Sequence, residues 1–150
     1  MADLGAATLV VAFDGADQVD PTGALVKGRG GAMHRERAVL AAADLELIVA
    51  DATKRVPHLG GCPLPLVLRP PGIFACVDAI EAIGAGPVVL RVGTGKDGPV
   101  LTESGGILAD LLVPGDRAVT GALVESIRAV DGVVDIGYFP PSGKRQFVGG

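Results

Sequence analysis

Charged side chains stand directly after three apolar, strand-like runs in the first part of the sequence. They are two acids and two bases: Asp14 and Asp17 after the first run, Lys27 after the second and Lys54 after the third. Ligands of open α/β sheets bind beyond the carboxyl ends of the strands. We therefore expect these four side chains to lie along one edge of a sheet, where they can act on the same ligand.

Glu36 is a further candidate because it interrupts the apolar stripe of a predicted helix. The helical period places three small or apolar residues on its face: Ala32, Val39 and Ala43. Burial there would raise the pKa of the Glu36 carboxyl above its usual value of about 4.3, toward the range useful for a general base. In the alternative, Glu36 lies in a first helical turn that faces water between Arg35 and Arg37. The spacing alone does not decide between the two.

A glycine turn precedes this helix. Gly28, Gly30 and Gly31 surround Arg29 directly after Lys27. Glycine lets the backbone approach a ligand closely, and N–H groups at the start of the following helix can bind an anion. The spacing does not form the dinucleotide fingerprint GxGxxG, so a tight strand-to-helix turn without a ligand is the alternative.

The composition is that of a folded protein with an aliphatic core. Of the 150 residues, 49% are hydrophobic and only 3% aromatic, which suits one ordinary domain or two small ones. The net charge of −4 provides no general attraction for nucleic acid, so we expect no nucleic-acid partner. Neither a signal peptide nor a membrane-spanning run is evident, and we expect no membrane partner and a cytoplasmic location. Cys62 and Cys76 lack the spacing of a zinc site, so no metal is expected.

Apolar runs alternate with a helical segment in the first part of the chain, which predicts a parallel α/β arrangement. We expect strands at 8–13 and 45–50, each buried on both faces, with the helix between them. Five prolines cluster between Pro57 and Pro71. Because proline cannot occupy a regular helix or a central strand, we expect a domain boundary in this region, near Gly60.

Beyond that boundary the order of predicted elements is βαββαβ, the split βαβ unit. The elements are strand 64–69, helix 74–84, strand 87–92, strand 99–103 with a continuation to 113, helix 116–130 and strand 133–139. A second boundary falls at Pro140, after which 146–148 can return one strand to the first sheet. We therefore predict a first domain of residues 1–60 and 140–150 and an inserted domain of residues 61–139.

Several short motifs follow one another along the chain. They are FDGADQVD at 13–20, KGRGG at 27–31, RER at 35–37, DATK at 51–54, LGGCPLP at 59–65, DGVV at 131–134 and GYF at 137–139. Each resembles a motif of type A ribose 5-phosphate isomerase, where they read FDGADE, KGGGG, REK, D-(A/E)-S-K, LGxFPLP, PGVV and GLF. The resemblance covers roughly residues 9–139, and the motifs are highly specific in combination.

This resemblance implies the reversible conversion of ribose 5-phosphate to ribulose 5-phosphate in the pentose phosphate pathway, without a metal or an organic cofactor. By match to the motifs, Glu36 falls on the family's proton-transferring glutamate, and Asp14, Asp17 and Lys27 take part in catalysis. The positions that bind substrate are Asp14, Gly15, Ala16, Asp17, Lys27, Gly28, Arg29, Gly30 and Lys54. The implied α/β fold is a Rossmann-like parallel sheet, here partial, with an inserted ferredoxin-like α+β domain, usually assembled as dimers or tetramers.

The sequence departs from the family pattern in ways that bear on the phosphate and on partners. In the family a longer N-terminal half carries a TGST loop that grips the phosphate, whereas only a dozen residues precede Phe13. We expect Arg29, which replaces a family glycine, to compensate part of the phosphate charge. We also expect the open sheet edge to be covered by self-association, or by a second chain that supplies the N-terminal half. The alternative to an active isomerase is a non-catalytic sugar-phosphate-binding or structural subunit.

Overall fold

The structure, a computed structural model, describes residues 9–95 and 97–149. In chain order the elements are β1 (Leu9–Gly15), β2 (Gln18–Val19), β3 (Leu25–Val26), α1 (Met33–Ala42), β4 (Ala43–Val49), a 3-10 turn (Ala52–Lys54), β5 (Pro63–Leu68), α2 (Ile73–Ala82), β6 (Val88–Leu90), β7 (Ile107–Leu112), α3 (Gly121–Arg128), β8 (Val133–Ile136), β9 (Tyr138–Phe139) and β10 (Arg145–Val148). One compact unit comprises the described residues up to Leu59 together with those from Tyr138 onward, and the other spans Gly60–Gly137. None of the helices in this part of the chain has the length and apolar composition that a membrane span requires.

A three-stranded parallel sheet with the order β1-β4-β10 forms the base of the first unit. Phe13 lies opposite Leu47 across β1 and β4, and Phe147 lies opposite Ile48 across β10 and β4. The two predicted apolar strands thus form β1 and β4, and β10 confirms the predicted return of 146–148 to this sheet. Ile48, in the middle strand, is fully buried, whereas Val49 at the end of the same strand is 55% exposed, so β4 is buried only in part and not on both faces throughout as predicted.

Strand β1 differs from the prediction in its burial. Val10 and Phe13 are 75% and 73% exposed, although the run was expected to be buried on both faces. Within the described residues β1 pairs with β4 alone, so its other edge is open and part of its apolar surface meets solvent. An open edge with exposed apolar side chains is a typical site of association with another chain.

A second sheet, antiparallel and with the order β2-β3-β9, carries the strand that precedes Lys27. Val26 lies opposite Tyr138 in this sheet. The prediction that Lys27 follows a strand of the parallel sheet is therefore wrong. The turn between β2 and β3 is held by Asp20, whose side chain accepts a hydrogen bond from Ala24 N, and it returns the chain at once as a hairpin. A three-residue apolar run does not distinguish such a hairpin strand from a parallel one.

The second unit is a four-stranded antiparallel sheet with the order β6-β7-β5-β8. Its elements follow one another as βαββαβ, with α2 after β5 and α3 after β7, which is the predicted ferredoxin-like arrangement. Leu66, Ile80 and Ile127, one from a strand and one from each helix, are fully buried and belong to its core. Both units together give the predicted α/β class, a partial Rossmann-like parallel sheet with an inserted ferredoxin-like domain.

Two prolines lie inside a central strand, contrary to the prediction. Strand β5 contains Pro63 and Pro65 and lies between β7 and β8. The Pro65 carbonyl oxygen accepts a hydrogen bond from Gly137 N at 2.7 Å, just past the end of β8. The N–H and C=O groups of one strand residue point to the same neighbouring strand, so the N–H that Pro65 lacks would also point toward β8. The pairing of β5 with β8 ends at Leu66 and Ile136, one residue before this position would take part. The prolines therefore remove little from the sheet.

Several predicted elements of this region are shorter in the structure, including strand 87–92, of which only Val88–Leu90 forms β6. The third helix begins at Gly121 rather than at 116, and the stretch 99–103 forms only isolated bridges, between Val92 and Pro99 and between Leu101 and Ile107. The strand predicted over 133–139 ends at Ile136, and Tyr138–Phe139 pairs instead with β3 of the first unit. Glycine and proline at the interruptions explain the shorter strands, because these residues weaken regular pairing.

Candidate functional site

The ammonium group of Lys27 is the centre of the candidate site. Its Nζ lies 2.9 Å from Asp14 Oδ2 and 3.2 Å from Glu36 Oε2, and it donates a hydrogen bond to the Gly15 carbonyl oxygen. The Lys27 side chain is only 3% exposed, so its charge is largely removed from water. A buried charge is tolerated only with charged or hydrogen-bonding partners, and the two carboxylates supply them. The end of β1, the segment after β3 and α1 are thus held together at one atom.

Glu36 enters the site from the first turn of α1. The buried residues of this helix are Met33 and Leu40, and Glu36 lies between them at helical spacing. Its side chain is 24% exposed and contacts Lys27. The alternative in which Glu36 faces water between its two arginine neighbours is therefore wrong.

The apolar stripe predicted for Glu36 is also wrong in its members. Ala32 is the exposed residue that precedes α1, and Ala43 belongs to β4 rather than to the helix. Glu36 instead shares its side of the helix with the buried Met33 and Leu40. The prediction assumed that the helix continued to 43, so two of the three residues that defined the face lie outside the helix.

Partial burial raises the pKa of the Glu36 carboxyl above its ordinary value of 4.5. Loss of contact with water is the largest cause, the nearby charge of Lys27 opposes it, and the negative charge of Asp14 adds to it. Apart from its ion pair with Lys27, the buried Glu36 Oε2 has no hydrogen-bond partner among the described residues. A carboxylate that is incompletely solvated takes up a proton more readily, as a general base must.

Asp17 holds the glycine turn in place. Its Oδ2 accepts a hydrogen bond from Arg29 N at 3.1 Å. Gly28 and Gly31 have φ values of +105° and +82°, in the left-handed region that favours glycine, and Gly31 N donates to Gly28 O at 2.9 Å. No residue other than glycine has a positive φ in the described part of the chain, so position 29 accepts an arginine without strain.

A cavity of about 200 Å³ opens at these residues. It is lined by every residue that the motifs assign to catalysis or substrate binding apart from Lys54, namely Asp14, Gly15, Ala16, Asp17, Lys27, Gly28, Arg29, Gly30 and Glu36. Lys54 lies in the 3-10 turn after β4 and does not line this cavity, so its substrate-binding role stays a prediction. Carboxylates that accept hydrogen bonds, beside amine and guanidinium donors, suit a ligand rich in hydroxyl groups. The described residues contain no group of three or more His, Cys, Asp or Glu placed to hold a metal ion.

Sequence reasoning missed a ring that supports the cationic side of the site. Phe139 is buried, and its ring centroid lies 5.7 Å from Lys27 Nζ and 4.1 Å from Arg37 Cζ. Arg37 also donates a hydrogen bond to the Tyr138 carbonyl oxygen at 3.2 Å. Cation–π attraction therefore connects β9 with α1 and with Lys27. The GYF motif contained this ring, but no periodicity relates position 139 to position 27.

The whole chain matches one protein family. The family model of ribose 5-phosphate isomerase A (phosphoriboisomerase A) matches residues 1–150. The chain belongs to this family. The ribose-5-phosphate isomerase A of Halobacterium salinarum is 40% identical over 146 residues, which are 97% of this chain and 63% of that protein. The ribose-5-phosphate isomerase A of Treponema denticola is 36% identical over 143 residues, 94% of this chain and 59% of that protein.

Solved structures of the family have the same fold. Ribose 5-phosphate isomerase A of Methanocaldococcus jannaschii aligns with a TM-score of 0.82 and 32% identity, over 94% of this chain and 62% of that one. A D-ribose-5-phosphate isomerase in complex with phospho-erythronic acid aligns with a TM-score of 0.83 and 31% identity, over 95% of this chain and 62% of that one. This member of the family thus spans about three fifths of the length of the relatives that it matches.

We expect Glu36→Gln to change how stability depends on pH. Because the pKa of Glu36 is raised in the folded state, that state binds the proton more tightly than the unfolded state does. The stability that the bound proton provides is present at pH values below 4.5, the pKa of Glu36 in the unfolded chain. It is lost as the pH rises through the pKa of Glu36 in the folded protein. The difference in Tm between Glu36→Gln and the parent should therefore favour the variant more at neutral pH than at pH 4.

Thermal unfolding of both proteins between about pH 4 and pH 8 measures this difference. Glu125→Gln, on the exposed side of α3, is the matched control and should give a difference in Tm that does not change with pH. The interpretation of Glu36 fails if its variant behaves like that control.

Proposed function

We propose that this chain carries the proton-transfer site of an aldose–ketose isomerase that interconverts ribose 5-phosphate and ribulose 5-phosphate. The observation that supports this proposal best is the half-buried Glu36 carboxylate. It lies 3.2 Å from the buried ammonium group of Lys27, in a cavity that Asp14 and Asp17 also line. Family membership supports the choice of substrate. The pentose phosphate pathway and the cytoplasm are the proposed setting, the pathway from the family resemblance and the cytoplasm from the expectation that the sequence raised.

The proposed reaction needs one base. Glu36 removes the proton from C2 of the open-chain aldose, the C–H electron pair forms a C1–C2 double bond, and the carbonyl electrons move to O1. The hydroxyl proton on O2 is then transferred to O1, and Glu36 returns its proton to C1, which leaves the carbonyl at C2. Since the same carboxylate removes and returns the proton, no metal or organic cofactor enters the step.

Lys27 and the two aspartates supply the other requirements of this chemistry. The enediolate between the two steps carries negative charge, and a fixed ammonium group in a dry site stabilises such charge better than water does. Asp14 and Asp17 can accept hydrogen bonds from sugar hydroxyls and hold the open chain in register. Because Lys27 already contacts Asp14 and Glu36, its position requires no rearrangement when the substrate binds.

We predict that Glu36→Gln lowers kcat for the conversion of ribose 5-phosphate by about 10²–10⁴-fold, because the amide cannot take up the proton. Formation of ribulose 5-phosphate is the measurement, and Glu125→Gln on α3 is the control that should retain the activity of the parent. Equal rates in parent and Glu36→Gln exclude Glu36 as the base. Thermal stabilisation of the parent by ribose 5-phosphate without turnover would instead favour the non-catalytic sugar-phosphate-binding alternative.

Arg29 is our candidate for recognition of the phosphate. A phosphate monoester carries about −1.5 to −2 charges at neutral pH. Two cationic side chains line the cavity beside its three carboxylates, namely Lys27, which pairs with two of the carboxylates, and Arg29. A guanidinium can bind phosphate oxygens through two parallel hydrogen bonds.

We predict that Arg29→Ala weakens binding of ribose 5-phosphate by about 10-fold or more, as expected for loss of a charged hydrogen bond. Binding of unphosphorylated ribose should not change, and this comparison in the same variant is the control. The variant keeps the backbone N–H of residue 29, which donates a hydrogen bond to Asp17, so the turn keeps this contact. An unchanged affinity for the phosphate ester would show that the phosphate is bound elsewhere.

We further propose that the open edge of β1 is an interface between copies of this chain. Val10 and Phe13 are the two most exposed large apolar residues of this strand, and they lie on an edge that no other described strand covers. Such edges add a strand from a second chain when no charge opposes it. The alternative is that the edge of β1 pairs with a strand of a second polypeptide, which supplies the remaining part of the family fold.

We predict that the parent protein sediments as a dimer or larger assembly at micromolar concentration and that Val10→Lys is largely monomeric, because a charged side chain on an edge strand opposes pairing. Sedimentation velocity gives the mass of both proteins. Val89→Lys, at an exposed position of the second unit, is the control and should keep the assembly state of the parent. A monomeric parent contradicts self-association at this edge.

A further inference from the structure

Lys144 satisfies the C-terminal end of α1. Its Nζ donates hydrogen bonds to the carbonyl oxygens of Leu40, Ala41 and Ala43 at 2.9, 3.0 and 2.6 Å. The last turn of α1 has no basic residue of its own, and Ala43 continues directly into extended β4. A helix end leaves carbonyl groups without intrahelical partners, and a cation there also interacts favourably with the helix dipole. One ammonium group from a distant segment therefore performs the function of a C-cap.

Arg145, the next residue, anchors a second element. Its Nε lies 2.8 Å from Glu46 Oε2, and the two side chains are only 4% and 6% exposed. Another nitrogen of the same guanidinium donates to the Gly23 carbonyl oxygen at 2.8 Å. Glu46 Oε1 also lies 3.8 Å from Lys144 Nζ, so one buried carboxylate on β4 holds both cations. We call Glu46, Lys144 and Arg145 the basic clasp.

Each cation of the basic clasp binds an element that leads to the candidate site. Lys144 holds the end of α1, and Glu36 lies one helical turn before Leu40. Arg145 holds Gly23, in the turn from which β3 runs to Lys27. The separation of Lys27 Nζ and Glu36 Oε2, which is 3.2 Å, thus depends on the positions of α1 and of the β2–β3 hairpin. The Glu46 carboxylate holds both cations that bind these two elements.

We propose that the basic clasp sets the separation of Lys27 and Glu36, with Lys144 as the positioning residue for the helix that carries Glu36. Neither Lys144 nor Arg145 lines the cavity, so both act through the elements that they hold. The inference rests on the proposed function for the chemistry of the pair, but the positioning itself can be measured without turnover. Displacements of about 1 Å at reacting groups are sufficient to slow an enzyme strongly.

The test is Lys144→Met, which retains most of the side-chain stem and removes the ammonium group. We expect α1 to tilt away from Lys27, so that Glu36 gains water and its titration midpoint falls by half a pH unit or more toward 4.5. Side-chain carboxyl NMR of Glu36 measures the midpoint. Lys144→Arg keeps donors for the carbonyl groups and should restore the midpoint of the parent.

A purely local capping role gives a different result. In that case Lys144→Met accelerates amide hydrogen exchange in the last turn of α1, while the Glu36 midpoint and the exchange of its first turn stay as in the parent. That outcome overturns the proposal. Arg128→Met, at an exposed ion pair of α3, controls for the loss of a positive charge and should leave both readouts unchanged. Should Lys144→Met fail to fold, the same two readouts are taken from Lys144→Gln, which removes the positive charge and shortens the reach to the three carbonyl groups.

Activity gives a separate readout. If the parent turns over, we expect Lys144→Met to lower kcat about tenfold with KM changed less than twofold, because substrate contacts in the cavity are intact. If neither protein turns over, the proposed function fails, but the Glu36 titration still decides the role of the basic clasp. A loss confined to KM, with an unchanged midpoint, would contradict positioning of Glu36.

Discussion

The buried ammonium group of Lys27 is the interaction on which the candidate site depends. Asp14 and Glu36 come from different elements, and two carboxylates at this distance would repel each other without a cation between them. Lys27 compensates both charges at once, and its almost complete burial strengthens each attraction because little water screens it. The hairpin that carries Lys27 also packs apolar side chains into the core, where Leu25 and Val26 are almost completely buried. Apolar burial therefore holds the hairpin, and the charge of Lys27 joins it to Asp14 and Glu36.

The same arrangement raises the proton affinity of Glu36. Burial favours its protonated form, whereas Lys27 favours the ionised form, and the balance leaves the pKa raised rather than lowered. Apart from the ion pair with Lys27, Oε2 has no hydrogen-bond partner among the described residues. Groups whose pKa is perturbed by burial and by a nearby charge occur often at functional sites.

The sequence predicted the elements better than it predicted the faces. Long apolar runs identified β1 and β4, and the alternation of element types identified the ferredoxin-like unit, because these signals depend only on local periodicity. The face of α1 was misassigned because two of the three residues that defined it, Ala32 and Ala43, lie outside the helix. The predicted strand 64–69 contained Pro65 despite the rule against proline in central strands, and the sequence does not reveal that its neighbour strand ends beside it. Contacts between distant segments, such as Lys27 with Phe139, have no local signature at all.

Conversely, the motif match located nearly the whole cavity lining. Eight of the nine proposed substrate-binding positions line it, and Lys54 is the one that does not. Motifs perform well here because the glycine turn imposes strict backbone conformations at Gly28 and Gly31, so that few sequences can form it. Position 29 is free of that constraint, which explains how this chain can carry an arginine there while keeping the turn.

The interleaved path of the chain has a consequence for its synthesis. All strands and helices of the second unit lie between Gly60 and Gly137, so this unit can fold as soon as that stretch has left the ribosome. The parallel sheet of the first unit waits for β10, and the end of α1 waits for Lys144, both encoded near position 145. Until then β4 has an unpaired edge and Glu46 lacks its cations. A nascent chain thus completes the second unit before the first, and during this period the open edge of β4 can pair with other chains.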